Sequence, residues 1–391
     1  MYPFISPKHI YYGEESLHKL TDIIETLDVK NALIVTDPML EELKIIEPVI
    51  ELLREKEIEW NVISDVVAEL PIETADQAVE QARHYQPELV IGIGGGSALD
   101  LAKAVSVLLE NPGEIHEYLN LNGEKVLKRQ GVPKVLIPTT AGTGSEVTDI
   151  SVFSLKDTKD VITHDYLLAD YAIVDPLLTY TLPQKVTAAS GVDALVHALE
   201  AYTSTQSTPL TDSLALEAIG KITANIRTAV WNGADREARE QMASGSLIAG
   251  LSFYNAGVAG VHALAYPLGG QFKIPHGESN AVLLPYVYDS IWPACLDKLV
   301  KVADVMGVPT EGKDRRTIAQ DTVQALFYLV EDVGLPTKLI AYNIQREDIE
   351  SLSENALKQA RLLKRSPKQL DEKGIKEIYY NAFQGTFTHN R

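Results

Sequence analysis

Hydrophobic positions in the first half of the chain occur in short β-rich runs separated by segments of helical period. The runs are Asn31–Thr36, Trp60–Ile63, Leu89–Ile93, Lys134–Ile137 and Tyr171–Val174. Between the first three runs, Met39–Glu55 and Thr74–Tyr85 have the spacing of amphipathic helices. This alternation predicts a parallel sheet with helices on both faces.

From about Thr181 onward the pattern changes to long segments rich in Ala, Leu and Glu, and strand signals nearly disappear. These segments are Ser213–Trp231, Arg236–Leu251, Asp297–Val305, Thr317–Val333 and Arg346–Arg361. The sequence therefore predicts an α/β domain over residues 1–180 and an all-helical bundle over residues 181–391. The cleft between these two domains is the expected place for a site.

A glycine-rich turn follows the strand Leu89–Ile93 in the segment "ELVIGIGGGSALDLAKA". Gly94, Gly95 and Gly96 allow a ligand to approach the backbone, and Ser97 is the expected N-cap of the following helix. Free N–H groups at such a helix start bind anions, and this end of a parallel strand is where α/β sheets bind nucleotides. The dinucleotide fingerprint G-x-G-x-x-G is not satisfied, because its last glycine would fall on Ser97. A purely structural turn therefore stays open as an alternative.

A second turn, "LIPTTAGTGSEVT", also follows a predicted strand. The hydroxyls of Thr139, Thr140 and Thr143 can donate to a phosphate or a ribose. An ordinary loop rich in Ser, Thr and Gly is the alternative.

Asp37 ends the first clear strand. A carboxylate in this position can bind the 2′-hydroxyl of an adenine ribose and would repel a 2′-phosphate, which favours NAD over NADP. The equally plain interpretation is that Asp37 caps the turn at Pro38.

Two polar residues stand one helical turn apart in the apolar segment "GVDALVHALEAY", namely Asp193 and His197. Their side chains leave the same face of a helix, so they form either a hydrogen-bonded pair or part of a metal site. His262 and His276 share one compact segment, "GVAGVHALAYPLGGQFKIPHGESNA". Three imidazoles and one carboxylate make a four-ligand set suited to Fe²⁺ or Zn²⁺, with an open position for a substrate oxygen.

Composition narrows the classes of function. The formal net charge of −19 disfavours binding to nucleic acid and to anionic membranes, and no apolar run approaches the ~20 residues of a membrane span. Cys295 is the only cysteine, which excludes an internal disulfide and a cysteine-based metal cluster. The first residues, "MYPFISPKHIYYG", do not resemble a signal peptide, so we expect a cytoplasmic protein.

Four segments together resemble the signature segments of the iron-containing alcohol dehydrogenase family. They are "GGGSALDLAKA", "PTTAGTGSEVT", "GVDALVHALEAY" and "VHALAYPLGGQFKIPHGESNA". The resemblance implies a dehydroquinate synthase-like architecture: an N-terminal dinucleotide-binding α/β domain, then an all-helical domain, with the metal in the cleft between them.

Carried over by position, the resemblance assigns residues to both cofactors. The implied metal ligands are Asp193, His197, His262 and His276. The implied cofactor contacts are Asp37, Gly94, Gly95, Gly96, Ser97, Asp100, Thr139, Thr140, Thr143, Lys159 and Leu178. Of these, Lys159 would reach the nicotinamide ribose and Leu178 would line the nicotinamide.

The chain departs from the family pattern at Tyr266. Many members have a second histidine four residues after the third metal ligand and pass the product proton through it. A tyrosine can relay a proton only through its hydroxyl, so Tyr266 either does this by way of water or shapes the pocket.

The resemblance implies a metal-dependent, NAD(P)-linked alcohol dehydrogenase or aldehyde reductase. We expect a small alcohol or aldehyde as substrate and a homodimer or higher homo-oligomer. The alternatives are a hydroxyacid–oxoacid transhydrogenase, a reductase of an acidic aldehyde, a dehydroquinate synthase-like lyase and a non-catalytic nucleotide-binding protein.

Overall fold

Eight β-strands form in residues 3–155 and 159–388, the part of the chain that the structure, a computed structural model, describes. They are β1 (His9–Tyr12), β2 (Asn31–Val35), β3 (Glu59–Ile63), β4 (Leu89–Gly94), β5 (Lys134–Pro138), β6 (Ile150–Ser154), β7 (Lys159–Thr163) and β8 (Tyr171–Val174). Six of them form one parallel sheet in the order β1-β8-β5-β4-β2-β3, and β6 pairs with β7 in an antiparallel hairpin. The five predicted strands are present, each within one residue at either end, whereas the sequence pattern does not predict β1, β6 or β7.

Fifteen α-helices accompany these strands in the same described residues. They are α1 (Lys19–Leu27), α2 (Pro38–Glu42), α3 (Glu47–Glu55), α4 (Ile72–Tyr85), α5 (Gly96–Leu108), α6 (Gln184–Thr203), α7 (Pro209–Trp231), α8 (Arg236–Ala256), α9 (Gly260–Phe272), α10 (His276–Ile291), α11 (Leu296–Met306), α12 (Arg315–Asp332), α13 (Asp348–Leu357), α14 (Ala360–Leu363) and α15 (Glu372–Gln384). The predicted class, a parallel sheet with flanking helices followed by a helical part, is confirmed.

Two predicted helices are each divided in the structure. The segment Met39–Glu55 forms α2 and α3, because Lys44 between them has a left-handed conformation (φ 59°) and Pro48 at the start of α3 has no N–H to donate. The segment predicted over Arg346–Arg361 forms α13 and α14, with Gln359 in a non-helical conformation before α14.

Both faces of the sheet are buried, because apolar residues occupy both alternations of its central strands. Leu33 and Val90 face one side and pack with α4 and α5, whereas their neighbours Ile34 and Ile91 face the other side and pack with α1 and α3. Strands buried on two faces read as continuous apolar runs, which is why the sequence identified them.

The strand order reverses between β2 and β4. Strand β3 pairs with one edge of β2, and β4 pairs with the other edge of β2. Strand β5 then pairs with β4, so the sheet grows in the opposite direction after β3. In open α/β sheets, ligands bind beyond the carboxyl ends of the two strands at such a reversal. A nucleotide site is therefore expected at the residues that follow β2 and β4.

The described chain contains two compact units. One consists of Ile5–Thr140 and Gly144–Thr181 and contains the sheet. The other runs from Leu182 onward, includes Ala141–Thr143, and has its own apolar core built from α6 to α15.

No single helix in the described residues has both the length and the apolar composition needed to cross a membrane. The helices α8 and α9 meet that test only when taken together, across a bend of 103°.

Candidate functional site

Asp193, His197, His262 and His276 converge in the helical unit. One ligand atom of each residue lies within 4.8 Å of the corresponding atoms of the other three. Asp193 and His197 leave the same face of α6, His262 belongs to the first turn of α9, and His276 is the first residue of α10. The sequence thus identified four side chains that the fold brings together from three helices.

The potential ligand atoms lie close to one another. His197 Nε2 lies 3.1 Å from His262 Nε2, and Asp193 Oδ1 lies 3.7 Å from His276 Nε2 and 4.0 Å from His262 Nε2. The first three side chains are almost fully buried, whereas the His276 side chain remains 28% exposed. The cluster is therefore enclosed on most sides and open at His276.

Burial and charge shift the pKa values of two of these four side chains. Burial lowers the pKa of His197 to about 4, against the opposing effect of the Asp193 carboxylate, so this imidazole is neutral at neutral pH. Burial alone would raise the pKa of Asp193, but the three neighbouring histidines and Asn280 together hold it below its usual value. An ionised carboxylate beside a neutral imidazole offers lone pairs to a cation, as metal ligands must.

Glu200 orients His262, a role that the sequence analysis missed. Its Oε2 lies 2.6 Å from His262 Nδ1, and its Oε1 accepts the Val261 N–H at 2.5 Å. The Glu200 carboxylate accepts a hydrogen bond from Nδ1–H and leaves the Nε2 lone pair directed at the cluster, as in carboxylate–histidine–metal arrangements. The signal was present in the sequence, because Glu200 lies seven residues after Asp193 on the same face of α6.

Asn280 is the second residue that the sequence analysis missed. Its Nδ2 donates to Asp193 Oδ1 at 2.7 Å and lies 3.2 Å and 3.3 Å from the Nε2 atoms of His262 and His276. Asn280 is fully buried and lies one turn after His276 on α10. It therefore orients the Asp193 carboxylate against the histidines.

Two aromatic side chains border the cluster. The Phe253 ring stacks on His197 with 4.2 Å between ring centroids, and the Tyr266 ring lies 6.1 Å from His276. Tyr266 follows His262 by one turn of α9, which brings it to the more exposed side of the cluster. This position fits either role expected for Tyr266, as a pocket wall or as a proton relay through water.

The Gly277 backbone lies in close contact with α6. A Cβ built on Gly277 would lie 2.4 Å from the carbonyl oxygen of Ala189, a backbone atom that cannot rotate away. Glycine at 277 thus lets the start of α10, and with it His276, approach the helix that carries Asp193 and His197.

We expect Gly277→Ala to weaken metal binding by about tenfold, because α10 must move away from α6 and take His276 with it. Titration of the metal-free protein with Fe²⁺ or Zn²⁺ measures this effect. Gly220→Ala is the matched control, since a Cβ there would meet only ordinary contacts at 3.6 Å and longer. Equal metal affinity in the two variants would show that this close approach does not position His276.

The glycine turn lies at the reversal of the strand order, in the sheet-containing unit. Gly94 has a left-handed-region φ of 154°, and a Cβ built on it would lie 3.7 Å from Asp37 Oδ2. The predicted N-cap is wrong: α5 begins at Gly96 with Gly95 as its N-cap, and Ser97 lies inside the first turn. The cause is the turn at Gly94, which places the carbonyl of Gly95 to accept the first helical N–H groups.

Asp37 caps a helix and also faces the glycine turn. Its Oδ1 accepts the Leu40 N–H at 3.0 Å as the N-cap of α2, so the capping interpretation is confirmed. The other oxygen, Oδ2, lies on the side of Gly94, so the capping hydrogen bond uses only one of the two carboxylate oxygens.

The second turn adjoins the first. The Thr139 N–H donates to the carbonyl of Gly94 at 3.0 Å, and a Cβ built on Gly95 would lie 3.9 Å from Thr140 Oγ1. Thr143 belongs to the short segment that is part of the helical unit.

The remaining predicted cofactor contacts have partners of their own. Asp100 is buried, accepts hydrogen bonds from Ser145 Oγ at 2.6 Å and Val152 N–H at 3.0 Å, and pairs with Lys103. Lys159, at the start of β7, forms an ion pair with Glu69. Leu178 lies in a short 3₁₀ helix, Pro176–Thr179, and packs against the apolar core on the α1 and α3 face of the sheet.

Comparison with known proteins gives matches over nearly the whole chain. Residues 7–176 match the model of the iron-containing alcohol dehydrogenase family, and residues 187–383 match that of its C-terminal domain. The chain is 50% identical to long-chain-alcohol dehydrogenase 1 of Geobacillus thermodenitrificans, over 98% of this chain and 97% of that protein.

Solved structures agree with these matches. The structure of a 1,3-propanediol oxidoreductase is similar with a TM-score of 0.94 and 34% identity, covering 98% of this chain and all of that one. A sulfoacetaldehyde reductase from Bifidobacterium kashiwanohense, solved in complex with NAD⁺, is similar with a TM-score of 0.86 and 28% identity, covering 98% of each chain.

Proposed function

Since the chain belongs to the iron-containing alcohol dehydrogenase family, we propose that Asp193, His197, His262 and His276 bind a catalytic divalent metal. Fe²⁺ is the proposed ion and Zn²⁺ the alternative. The enzyme is an alcohol dehydrogenase of the iron type, and the proposed reaction is hydride transfer between NAD and a small alcohol or aldehyde. The observation that carries the proposal is the convergence of three imidazoles and one carboxylate, with the Glu200 carboxylate orienting His262.

The donor set fits such an ion. Two imidazole nitrogens, those of His197 and His262, face each other at 3.1 Å, and the buried Asp193 carboxylate lies beside them. One carboxylate and three imidazole ligands would compensate only part of the charge of a bound divalent ion, so the occupied site would keep a net positive charge for a developing oxyanion. A divalent ion bound there supplies Lewis-acid activation of the substrate oxygen.

The protein's own groups position the reaction. Glu200 and Asn280 fix the ligand orientations, while Phe253 and Tyr266 limit the space beside the histidines. Phe253 is buried on His197, so it keeps water from that side of the cluster.

We also propose NAD rather than NADP as the redox cofactor. The Asp37 oxygen near Gly94 can accept a hydrogen bond from a ribose hydroxyl and would repel a 2′-phosphate. The backbone of Gly94, Gly95, Gly96 and Ser97 at the start of α5 is suited to the pyrophosphate. Further proposed contacts are Asp100, Thr139, Thr140, Thr143, Lys159 and Leu178.

The proposed setting is the cytoplasm, with the chain in a homodimer or a higher homo-oligomer. A single buried cysteine is compatible with a reducing compartment. In the described residues the sheet ends in two edge strands, β1 and β3, and strands in this position are the ones through which sheets pair between chains.

A substrate panel tests the proposed reaction. Short alcohols, diols, hydroxy acids and aldehydes are offered with NAD and with NADP, and the change in nicotinamide absorbance is followed. We expect turnover with at least one alcohol–aldehyde pair and a higher kcat/KM with NAD. Absence of turnover by metal-loaded protein would favour a nucleotide-binding protein without catalysis. Nicotinamide that stays bound and turns over only when a second oxo acid is added would instead indicate a transhydrogenase.

A further inference from the structure

Arg365 is a half-buried cation without a carboxylate partner in the described chain. Its Nε donates to the neutral amide oxygen of Gln206 at 3.0 Å, and no acidic residue of the described segments forms an ion pair with it. The chain has 54 acidic residues against 35 Lys and Arg, so a missing partner does not reflect a shortage of carboxylates. A half-buried guanidinium whose side-chain hydrogen-bond partner is a neutral amide keeps donors for an anion, which makes Arg365 a candidate for binding a ligand.

The surrounding segment is uniformly basic. Lys358, Arg361, Lys364, Arg365 and Lys368 occur within residues 358–368, which contain no Asp or Glu. Burial lowers the pKa of Arg365, and the neighbouring charge of Arg361 lowers it further. An anion at Arg365 would relieve both unfavourable effects, desolvation and repulsion.

Two paths of contact lead from Arg365 to the metal cluster. A Cβ built on Gly257 would lie 2.6 Å from the Cδ, Nε and Cζ atoms of Arg365, so the guanidinium lies directly on this glycine. Gly257 follows the end of α8, and its N–H donates to the carbonyl of Phe253, the residue whose ring stacks on His197.

The second path runs through Tyr266. Tyr266 acts to raise the pKa of Arg365, which places the two side chains near each other, and the Tyr266 ring lies 6.1 Å from the ring of His276. Arg365 is therefore near Tyr266, which borders the more exposed side of the cluster, and it contacts Gly257, four residues after Phe253.

We propose that Arg365 binds an anionic group of the substrate, a carboxylate or a sulfonate, at the end opposite the oxygen that reacts. Its planar guanidinium presents two parallel N–H donors to such a group. The favoured substrates are then hydroxy acids, hydroxysulfonates and the corresponding aldehydes, rather than uncharged alcohols of the same length. This inference rests on the proposed function, because the metal cluster defines the reacting end.

Matched pairs of compounds test the inference on the metal-loaded enzyme. The carboxylate arm compares γ-hydroxybutyrate with n-butanol, and the sulfonate arm compares isethionate with n-propanol. We expect Arg365→Gln to lower kcat/KM for the anionic member about 10–100-fold, and to change that of the neutral member less than about threefold. The arm with the larger loss identifies which anion is bound.

Lys364→Gln is the matched control, since it removes one positive charge from the adjacent, exposed position. We expect this variant to behave as the wild type, and Arg365→Lys to recover part of the preference for the anionic compounds. If Arg365→Gln lowers kcat/KM equally for the anionic and the neutral compounds, or lowers it for neither, the inference is overturned and the role of Arg365 is structural.

Calorimetric binding without nicotinamide separates this inference from the proposed reaction. We expect γ-hydroxybutyrate or isethionate to bind the wild type about tenfold or more tightly than Arg365→Gln. If the wild type binds the anionic compound more tightly than Arg365→Gln but no hydride transfer occurs, the proposed function is wrong and the anion site at Arg365 is supported. If hydride transfer occurs but neither anion binds better than its neutral counterpart, the anion site is wrong and the function stands.

Discussion

Replacing His197 with alanine should remove the metal and lower kcat/KM by at least about 1,000-fold, which corresponds to about 4 kcal/mol of transition-state stabilisation. His197 provides one of the two imidazole nitrogens that face each other at 3.1 Å inside the cluster. Because its pKa is lowered to about 4 by burial, the imidazole is neutral, and the substitution removes no charge at neutral pH. The chain should therefore stay folded, with a loss of stability limited to the cavity left beside Phe253.

Metal content by mass spectrometry, kcat/KM and circular dichroism of the variant check this expectation together. His84→Ala is the matched control, because His84 is an exposed histidine on α4 in the other unit. A His197→Ala protein that keeps one metal per chain and normal turnover would contradict the assignment of this ligand.

Replacing Glu200 with alanine should weaken metal binding about 10–100-fold without removing any ligand. The change leaves two buried donors, His262 Nδ1–H and Val261 N–H, without their common acceptor. His262 can then adopt the other tautomer or rotate, so its Nε2 lone pair is no longer held toward the cluster. Unsatisfied buried donors should also lower the free energy of unfolding, by roughly 1–3 kcal/mol each.

Glu200→Gln separates orientation from stability. A glutamine keeps one acceptor oxygen but presents its amide hydrogens to the second donor, so we expect a loss of affinity between those of wild type and Glu200→Ala. Competition with a chelator measures the affinity, and chemical denaturation measures the stability. Unchanged metal affinity in both variants would show that Glu200 serves only the packing of α6 against α9.

Much of the fold is predictable from local sequence because its central strands are buried on both faces. Paired positions such as Leu33 with Val90 and Ile34 with Ile91 produce continuous apolar runs that are easy to recognise. The edge strand β1 is half-exposed and lacks such a run. The break at Lys44 depends on one residue with a left-handed conformation, which amphipathic spacing does not reveal.

The residues of the site also differ in how far the sequence predicts them. Helical spacing identifies Asp193 and His197 as a pair, and it also places Glu200 on the same face of α6. The sequence does not show, however, that Glu200 contacts His262. Asn280 would be found from its spacing to His276. Arg365 could not be identified from the sequence. Its proposed role in binding an anion depends on Gly257 and Tyr266, which come close to it only in the folded chain.

The role of the metal is tested by the activity of the wild-type protein after complete removal of metal by a chelator under anaerobic conditions. The expected result is a fall in the rate of nicotinamide-linked turnover by more than about 100-fold. Addition of one equivalent of Fe²⁺ should then restore the rate in the wild type but not in His197→Ala. Full activity in the metal-free wild type would show that no metal is needed for the reaction, and the proposed role of the four converging side chains would be wrong.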